Sequence, residues 1–380
     1  METSSLINYS DVESSRFNLN IYRAKLEDIK QGMLKKELIN NNADLLILRL
    51  PSANKNVHSK LLNIGFDVIH ADTLVYYIVN LSTHEVKPLR NDLTFEIIDD
   101  SNISVLKEII PVIFQDYQNH YFSNPILDKE KITEGYIEWA SSYYNQTGKI
   151  SFLVKKEGQV AGFATCSFDE QTNESEGVLY GVMPNFAGKG IYSDMIKFTQ
   201  QYFKDKGFRS MWVSTQIQNY SVQKAWLNEG FFLKKSFETY HITSLLNYSI
   251  EPKQVFEFKV TSKDIEDFAH FSGDRNALHF DDSYAIQTGF KGRIAHGMIF
   301  QSYLSKFFGV NYPGKGTIFL KNANIFLAPI YPDLRYKCEI STYSKDISTG
   351  IIKVVAKVLS EKNDICAISY NDLMNKNIKA

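Results

Sequence analysis

The sequence predicts an α+β protein made of two domains in series. Three observations carry that reading. At 380 residues the chain is long enough for two or three hydrophobic cores. Up to about residue 246, apolar strand runs alternate with helix patterns, as in a mixed sheet with flanking helices. Beyond it, one apolar helix near 298–308 precedes strand patterns at 317–327, 334–342, 351–359 and 364–370, which suits an antiparallel sheet wrapped on a central helix.

Bulk properties narrow the function classes. With 44% hydrophobic and 13% aromatic residues the composition is that of an ordinary soluble protein. A formal net charge of -1 argues against a nucleic-acid partner, because phosphate binding shows as a basic excess. No apolar run reaches the ~18 residues a membrane span needs. The N-terminus has no basic patch followed by an apolar run, so no secretory signal is expected. Cys166, Cys338 and Cys366 are odd in number and far apart, which points to free thiols in a reducing cytoplasm.

In chain order, 18–25 reads as a strand and 26–40 as a helix. The run ADLLILRL at 43–50, closed by Pro51, reads as a buried strand. A helix at 54–63 ends at Gly65, and 67–79 is another strand. This strand–helix–strand unit has an echo. Asn54 precedes Gly65-Phe66 as Asn219 precedes Gly230-Phe231, and each copy follows a buried strand, 43–50 or 208–215. Two such units fit side by side in one larger sheet. Between them lie a strand at 93–98, helices at 104–117 and 131–144, a hairpin of 150–156 and 159–168 turned at Glu157-Gly158, and a strand at 177–183. Residues 245–254, with Pro252, read as the domain boundary.

After Pro184 the chain reads Asn185-Phe186-Ala187-Gly188-Lys189-Gly190-Ile191-Tyr192 and opens a helix to about 206. Gly188 and Gly190 permit positive φ and a close backbone approach, the helix start offers unpaired N–H groups, and Lys189 adds a charge. A diphosphate would fit there. The spacing is neither that of a Walker loop nor GxGxxG, and on the glycines alone a ligand-free helix start is an equal alternative.

A second stretch carries acid–base chemistry. Asp274 stands five residues before His279 in a loop punctuated by Gly273 and Asn276, and a Gly-rich turn, 289–297, feeds the apolar helix. A carboxylate and an imidazole held on one turn suit addition or removal of water across a double bond, one group taking a proton and the other giving one. The N–H of Gly297 at the helix start could hold a carbonyl oxygen as charge builds on it. His270, His279 and His296 fit no helical or knuckle ligand spacing and no thiolate lies nearby, so no metal is expected.

These residues resemble the hydratase motif of the MaoC-like (R)-specific enoyl-CoA hydratases, which have a hot-dog fold. Gly273-Asp274-x-Asn276-x-x-His279-x-Asp281, then 292–298 (GRIAHGM), then Pro313-Gly314-Lys315-Gly316 match in order, and the similarity runs from about Val255 to the C-terminus. The resemblance implies that Asp274 and His279 act as a catalytic pair on water, that Ser302 lies near them, that Asn276 belongs to the acyl-CoA site, and that the domain forms homo-oligomers. Ala277 replaces the family's usual proline.

Likewise, the strand, Pro184, the glycine turn, its helix, the next strand and Asn219 resemble the GNAT N-acyltransferases. By that likeness 186–192 (Ala187, Gly188, Lys189, Gly190, Ile191 and Tyr192 among them) would hold the diphosphate of coenzyme A. Val182 and Met183 would pair with the pantetheine arm, as would Asn219. Ala187 and Tyr192 fill the first and last places of the family's Arg/Gln-x-x-Gly-x-Gly/Ala pattern, so one side-chain phosphate contact is missing. Trp226 stands where the family often has a tyrosine that reprotonates the leaving thiolate, and indole transfers no proton. Tyr240 or His241 is the substitute on offer, the two falling on opposite faces of an alternating strand. Residues 14–22 and 43–51 resemble the N-terminal extension of the enterobacterial dTDP-amino-sugar N-acetyltransferases.

The expected organisation is an acyltransferase extension at 1–92, a GNAT domain at 93–246, a linker at 247–254 and a hot-dog hydratase domain at 255–380. The expected function is bifunctional: hydration of a short 2-enoyl-CoA to an (R)-3-hydroxyacyl-CoA, then transfer of that acyl group to the amine of a nucleotide-linked amino sugar. The alternative is acetyl transfer from acetyl-CoA, with the hot-dog domain acting on unrelated substrates or serving only to bind acyl-CoA and oligomerise.

Overall fold

The computed structural model describes residues 5–29, 31–54 and 56–377. They form two compact units. One takes the chain up to Gly32 and Leu46–Ile242; the other takes Met33–Leu45 and everything from Thr243 on.

The elements of the first part, in chain order, are β1 (Asn8–Tyr9), α1 (Asp11–Phe17), β2 (Ile21–Lys25), α2 (Gln31–Asn40), β3 (Leu45–Pro51), α3 (Val57–Leu62) and β4 (Asp67–Asn80). There follow β5 (Thr94–Ile97), α4 (Ile103–Phe114), α5 (Lys129–Ser141), β6 (Lys149–Lys156), β7 (Gln159–Asp169) and β8 (Glu174–Val182). Last come α6 (Ile191–Asp205), β9 (Ser210–Gln216), α7 (Tyr220–Asn228) and β10 (Phe232–Thr243). The strands make one ten-stranded mixed sheet in the order β1-β2-β3-β10-β4-β9-β8-β7-β6-β5.

The two strand–helix–strand units do share this sheet, but they interleave. β10 lies between β3 and β4, and β4 lies between β10 and β9. Each unit therefore leaves a slot that a strand of the other fills. β3 is buried on both faces at Leu45, Leu46, Ile47 and Leu48, which accounts for its unbroken apolar run. β8 alternates buried and half-buried residues along its length, with the period of two of a strand. α6 buries Ile191, Met195, Ile196, Thr199 and Phe203 at helical spacing against that sheet.

The second unit has β11 (Gln254–Lys259), α8 (Ser262–Ser272), α9 (Asp282–Gln287), α10 (Gly297–Val310), β12 (Ile318–Phe326), β13 (Arg335–Asp346), β14 (Ile351–Leu359) and β15 (Ile365–Met374). Its strands form an antiparallel sheet in the order β11-β13-β14-β15-β12, a hot-dog arrangement around α10. Ile299, Phe300, Leu304 and Phe308 of α10 pack on Cys338, Ile340, Val354 and Ala367 of the sheet. Burying each large apolar side chain contributes about 1.5–3 kcal/mol. Asp44 ties the start of this unit. Its carbonyl accepts from the N–H groups of Ser244 and Leu245, and its carboxylate accepts from Asn247 and Tyr248 at 2.7 Å. Residues 247–254 are held to the same unit, with the Ile250 N–H on the Thr342 carbonyl at 2.8 Å and Glu251 paired with Lys345 at 2.6 Å.

Candidate functional site

In the second unit the dyad is assembled by a relay of turns. A capping box of Thr261 and Asp264 starts α8, and Gly273 ends it in the left-handed conformation at φ 78°. Asp274 is the first residue off that helix. Its Oδ1 accepts from the Asn276 N–H at 3.2 Å, and the Asn276 Oδ1 accepts from the Leu278 N–H at 3.1 Å. The single 3-10 turn Ala277–His279 then presents the imidazole. Two backbone-directed bonds fix it: the Ile294 N–H donates to the Leu278 carbonyl at 3.0 Å, and His279 Nδ1–H donates to the Ile294 carbonyl at 2.8 Å.

A carbonyl only accepts, so His279 carries its proton on Nδ1 and turns the Nε2 lone pair the other way. That Nε2 lies 4.0 Å from Asp274 Oδ2. The separation is too long for a direct bond. A water at ~2.8 Å from both atoms would subtend an angle of roughly 90° between them, so one water molecule fits the gap. Asp274 is half-exposed, with 50% of its side chain accessible, whereas His279 retains 12%; the opening is on the carboxylate side.

His296, which the sequence places within GRIAHGM without a catalytic role, completes the group. It is buried, stacks on His279 at 3.7 Å between ring centroids, and donates from Nε2 to the Asp274 carbonyl at 2.9 Å. Burial pushes its pKa down, and the nearby His279 adds to that. Donor atoms of Asp274, His279 and His296 lie within 4.8 Å of one another, while His270 is not part of the cluster. Gly297 begins α10 with its N–H unpaired by the helix, and a Cβ there would stand 3.0 Å from the Phe326 ring. Ser302 is on α10 and exposed, with no hydrogen bond to Asp274 or His279 among the described residues. Asn276 uses its side-chain oxygen within the turn, so it positions the loop that carries His279.

In the first unit the site follows from how β8 and β9 part. They pair in parallel only from Glu174↔Ser210 to Gly177↔Val213. Beyond that, β8 runs on to Val182 and β9 to Gln216 with no further pairing between them. The bulge at Val178, left out of the β7 register, bends β8 at the point of separation. Val182 pairs with Gly162, and the Met183 N–H is taken by the Ala161 carbonyl at 2.9 Å, so the free edge for a ligand is the one facing β9.

The turn after β8 has Gly188 at φ 75° and Gly190 at φ 80°, the latter capping α6. Ala187 donates its N–H to Pro184 O, which removes it from the set of free donors. Ile191 is buried in the core, so only its backbone faces the turn. Lys189 Nζ folds back on the Asn185 carbonyl at 2.9 Å and lies over the Phe186 ring. A brace that the sequence reading missed holds the turn from behind. Asn91 donates to the Lys189 carbonyl and to Asp194, and Asp194 pairs with Lys197 at 3.0 Å, both fully buried. Burial alone would raise the Asp194 pKa, but Asn91, the Arg90 N–H and Lys197 bring it below the ordinary range.

A cavity of about 950 Å³ opens where the strands part, lined among others by Glu13, Arg49, Tyr117, His120, Glu176 and Asn219. Tyr192 and Trp226 also line it. Asn219 donates from Nδ2 to Thr215 Oγ1 at 3.1 Å. Tyr240 is buried against the His70 ring at 5.3 Å and is not among the lining residues. His241 is buried with its Nε2 2.9 Å from Nδ1 of His120, which does line the cavity. The hydroxyl that reaches Asn219's neighbourhood is Tyr117, which donates to Gln216 Oε1. Burial pushes its pKa up, with Thr215, Gln216 and Asn219 pulling the other way. Glu176 is raised by burial against the pull of Arg49, Lys235 and Lys25.

Two family models match the chain: Acetyltransferase (GNAT) family over residues 112–231 and MaoC like domain over 248–363. Among curated proteins, the 3-hydroxybutyryl-CoA dehydratase of Methylorubrum extorquens is 32% identical over 77 residues, 20% of this chain and 49% of that protein. The (R)-specific enoyl-CoA hydratase of Rhodospirillum rubrum is 39% identical over 71 residues, 19% of this chain and 49% of that protein. The chain thus spans about half the length of these relatives. A solved (R)-hydratase from A. caviae involved in PHA biosynthesis superposes with a TM-score of 0.32 at 23% identity, covering 34% of this chain and 97% of that one. A GCN5-related N-acetyltransferase from Kribbella flavida does so with a TM-score of 0.41 at 12% identity, covering 59% and 81%. The chain joins a GNAT-family acetyltransferase domain to a C-terminal MaoC-like domain.

Proposed function

We propose that the second unit hydrates a short 2-enoyl-CoA to an (R)-3-hydroxyacyl-CoA and that the first transfers this acyl group to the amine of a nucleotide-linked amino sugar. What supports the reading is a water-sized gap between Asp274 and His279 in one unit and, in the other, parted strands beside Gly188 and Gly190, each suited to a thioester.

For hydration, water in the gap adds its oxygen to C3 while His279 Nε2 takes a proton. The dyad returns a proton to C2, so Asp274 and His279 end in the protonation state in which they began. The Gly297 N–H holds the thioester oxygen as negative charge gathers there. For acyl transfer, the free edge of β8 and the α6 N-terminus hold the coenzyme arm and diphosphate. A neutral amine attacks the thioester carbonyl, Glu176 takes the proton the amine sheds, and Tyr117 supplies a proton to the departing sulfur. Joining the two activities in one chain raises the local concentration of the shared acyl-CoA. β12 is an edge strand with Ile318, Phe319 and Leu320 exposed, an edge that a second copy of the chain would cover.

The test is to incubate the purified full chain with crotonyl-CoA and a panel of nucleotide amino sugars and read product masses. A 3-hydroxybutyryl amide is expected from the wild type. A product limited to the acetyl amide, formed only when acetyl-CoA is supplied, refutes the coupled reading.

A further inference from the structure

Three cations of the first unit stand on neighbouring strands around a single shared carboxylate, Glu176. Lys25 ends β2, Arg49 is on β3, and Lys235 is on β10, which follows β3 in the sheet. The Leu26 N–H donates to the Arg49 carbonyl at 3.1 Å, which sets Lys25 beside Arg49. Lys235 Nζ lies 4.7 Å from the Trp212 ring centroid, 5.6 Å from Tyr76 and 5.9 Å from Phe237, while Lys25 Nζ lies 4.5 Å from Phe237. Aromatic faces hold an ammonium in place and leave its charge uncompensated.

Among the described residues none of the three makes an ion pair, and Arg49 Nε is buried without a hydrogen-bond partner. Partial burial and then the like charges of Lys235 and Arg49 pull Lys25 below its ordinary value, with Glu27 and Glu176 opposing. Glu176 is the carboxylate that feels all three cations, and Asp72 feels Arg49 alone among them. Three cations around one carboxylate leave an excess of positive charge, which an anion would compensate. The row also leads somewhere: Arg49, Tyr76 and Glu176 line the acyl-transfer cavity.

We propose that Arg49, Lys235 and Lys25 form the docking track for a diphosphate on the acceptor, so that the diphosphate sits on the three cations and the acceptor amine points to the Glu176 end of the cavity. This rests on the acyl-transfer reading and specifies its acceptor as a diphosphate-bearing molecule. Arg49 forms the inner contact, and exposed Lys235 and Lys25 form the outer ones.

The experiment is isothermal titration of UDP, inorganic pyrophosphate and uridine into the full chain saturated with CoA, so that the coenzyme's own diphosphate site is filled. UDP and pyrophosphate should bind and uridine should not. Arg49→Gln and Lys235→Gln should each weaken both by about tenfold or more, the worth of one charged hydrogen bond. Lys235 is exposed, so its variant tests the claim even if Arg49→Gln folds poorly. Tighter binding of UDP than of pyrophosphate identifies a nucleotide as the source of the diphosphate; equal binding supports the track for any diphosphate. If CoA binds every form while UDP and pyrophosphate bind none, or if their binding is untouched by both substitutions, the track is refuted and the acyl-CoA reading stands. Failure of the wild type to bind CoA refutes the reading beneath it.

Discussion

The imidazoles of His279 and His296 stack 3.7 Å apart with their planes 30° from parallel, and each donates to a backbone carbonyl, His279 to Ile294 and His296 to Asp274. The stack leaves His279 one orientation, with its free nitrogen toward the carboxylate. Asp274→Asn keeps the shape and removes the charge. Hydration of crotonyl-CoA should fall by about 10²- to 10⁴-fold, the usual share of a general acid–base group. The thermal midpoint should stay put, because the Asp274 side chain is half-exposed and its backbone bonds survive. His296→Gln should lower kcat more than it changes KM, since the ring orients His279 and touches no substrate. Unchanged hydration in both variants would remove the dyad from the mechanism.

The turn at Gly188 and Gly190 makes a separable claim. Both have φ near the left-handed region, 75° and 80°, where a β-branched side chain is strained by about 1–2 kcal/mol. Space is not the obstacle, since a Cβ at Gly190 would meet only Asn91 Nδ2, at an ordinary contact distance of 3.8 Å. Gly190→Val should therefore re-aim the N–H groups at the start of α6, and CoA should bind to the first unit about tenfold more weakly. Crotonyl-CoA hydration, which uses the other unit, should be unaltered. Calorimetry with free CoA and a hydration assay on the same sample decide it.

Much of this was legible because the chemistry is local. Asp274, Asn276 and His279 span six positions, and the glycine turn sits between one strand and one helix, so motif and site coincide. The buried strand at 43–50 and the central helix also declared themselves by apolar runs. What stayed hidden needed tertiary contacts. Helix α1, seven residues of mostly polar sequence, has no periodic signal, yet it brings Glu13 to pair with Arg23 at 2.5 Å. Arg49, Tyr76, Glu176 and Lys235 meet only because β10 inserts between β3 and β4. The sequence offers Tyr240 or His241, on the strand after Trp226, as the thiolate's proton donor, and strand parity puts the two on opposite faces. The fold turns Tyr240 to His70 and His241 to His120, and sets Tyr117, three residues past α4, against Gln216.

The His120–His241 couple gives the first unit a pH dependence. Burial pushes both imidazoles down, His241 to about 4 and His120 well below its ordinary value. In the unfolded chain each takes a proton near pH 6.5. Between about pH 6.5 and pH 4 the unfolded state therefore binds more protons, and stability falls as the pH falls; above 6.5 this contribution is flat. His241→Gln removes that group from the balance. The wild type should melt higher than the variant at pH 7, and the difference should shrink by pH 4.5. Thermal scans at both values test it, and a difference that holds or widens contradicts the neutral couple.

Tyr117 is the strongest single test of the transfer mechanism. Its hydroxyl donates to Gln216, on the strand that parts from β8, and Asn219 is also within its hydrogen-bonding circle. A raised pKa keeps the phenol protonated at neutral pH, so it has a proton to give when the sulfur leaves with negative charge. Trp226, which lines the same cavity, has no transferable proton. Tyr117→Phe should cut kcat for acyl transfer by about 10²-fold and leave KM for the acyl-CoA within about twofold, because the ring still fills its place. The upper limb of the pH–rate profile should disappear with the hydroxyl. A KM change without a kcat change would make Tyr117 a wall of the site, and the proton would then have to reach the sulfur from water entering between β8 and β9.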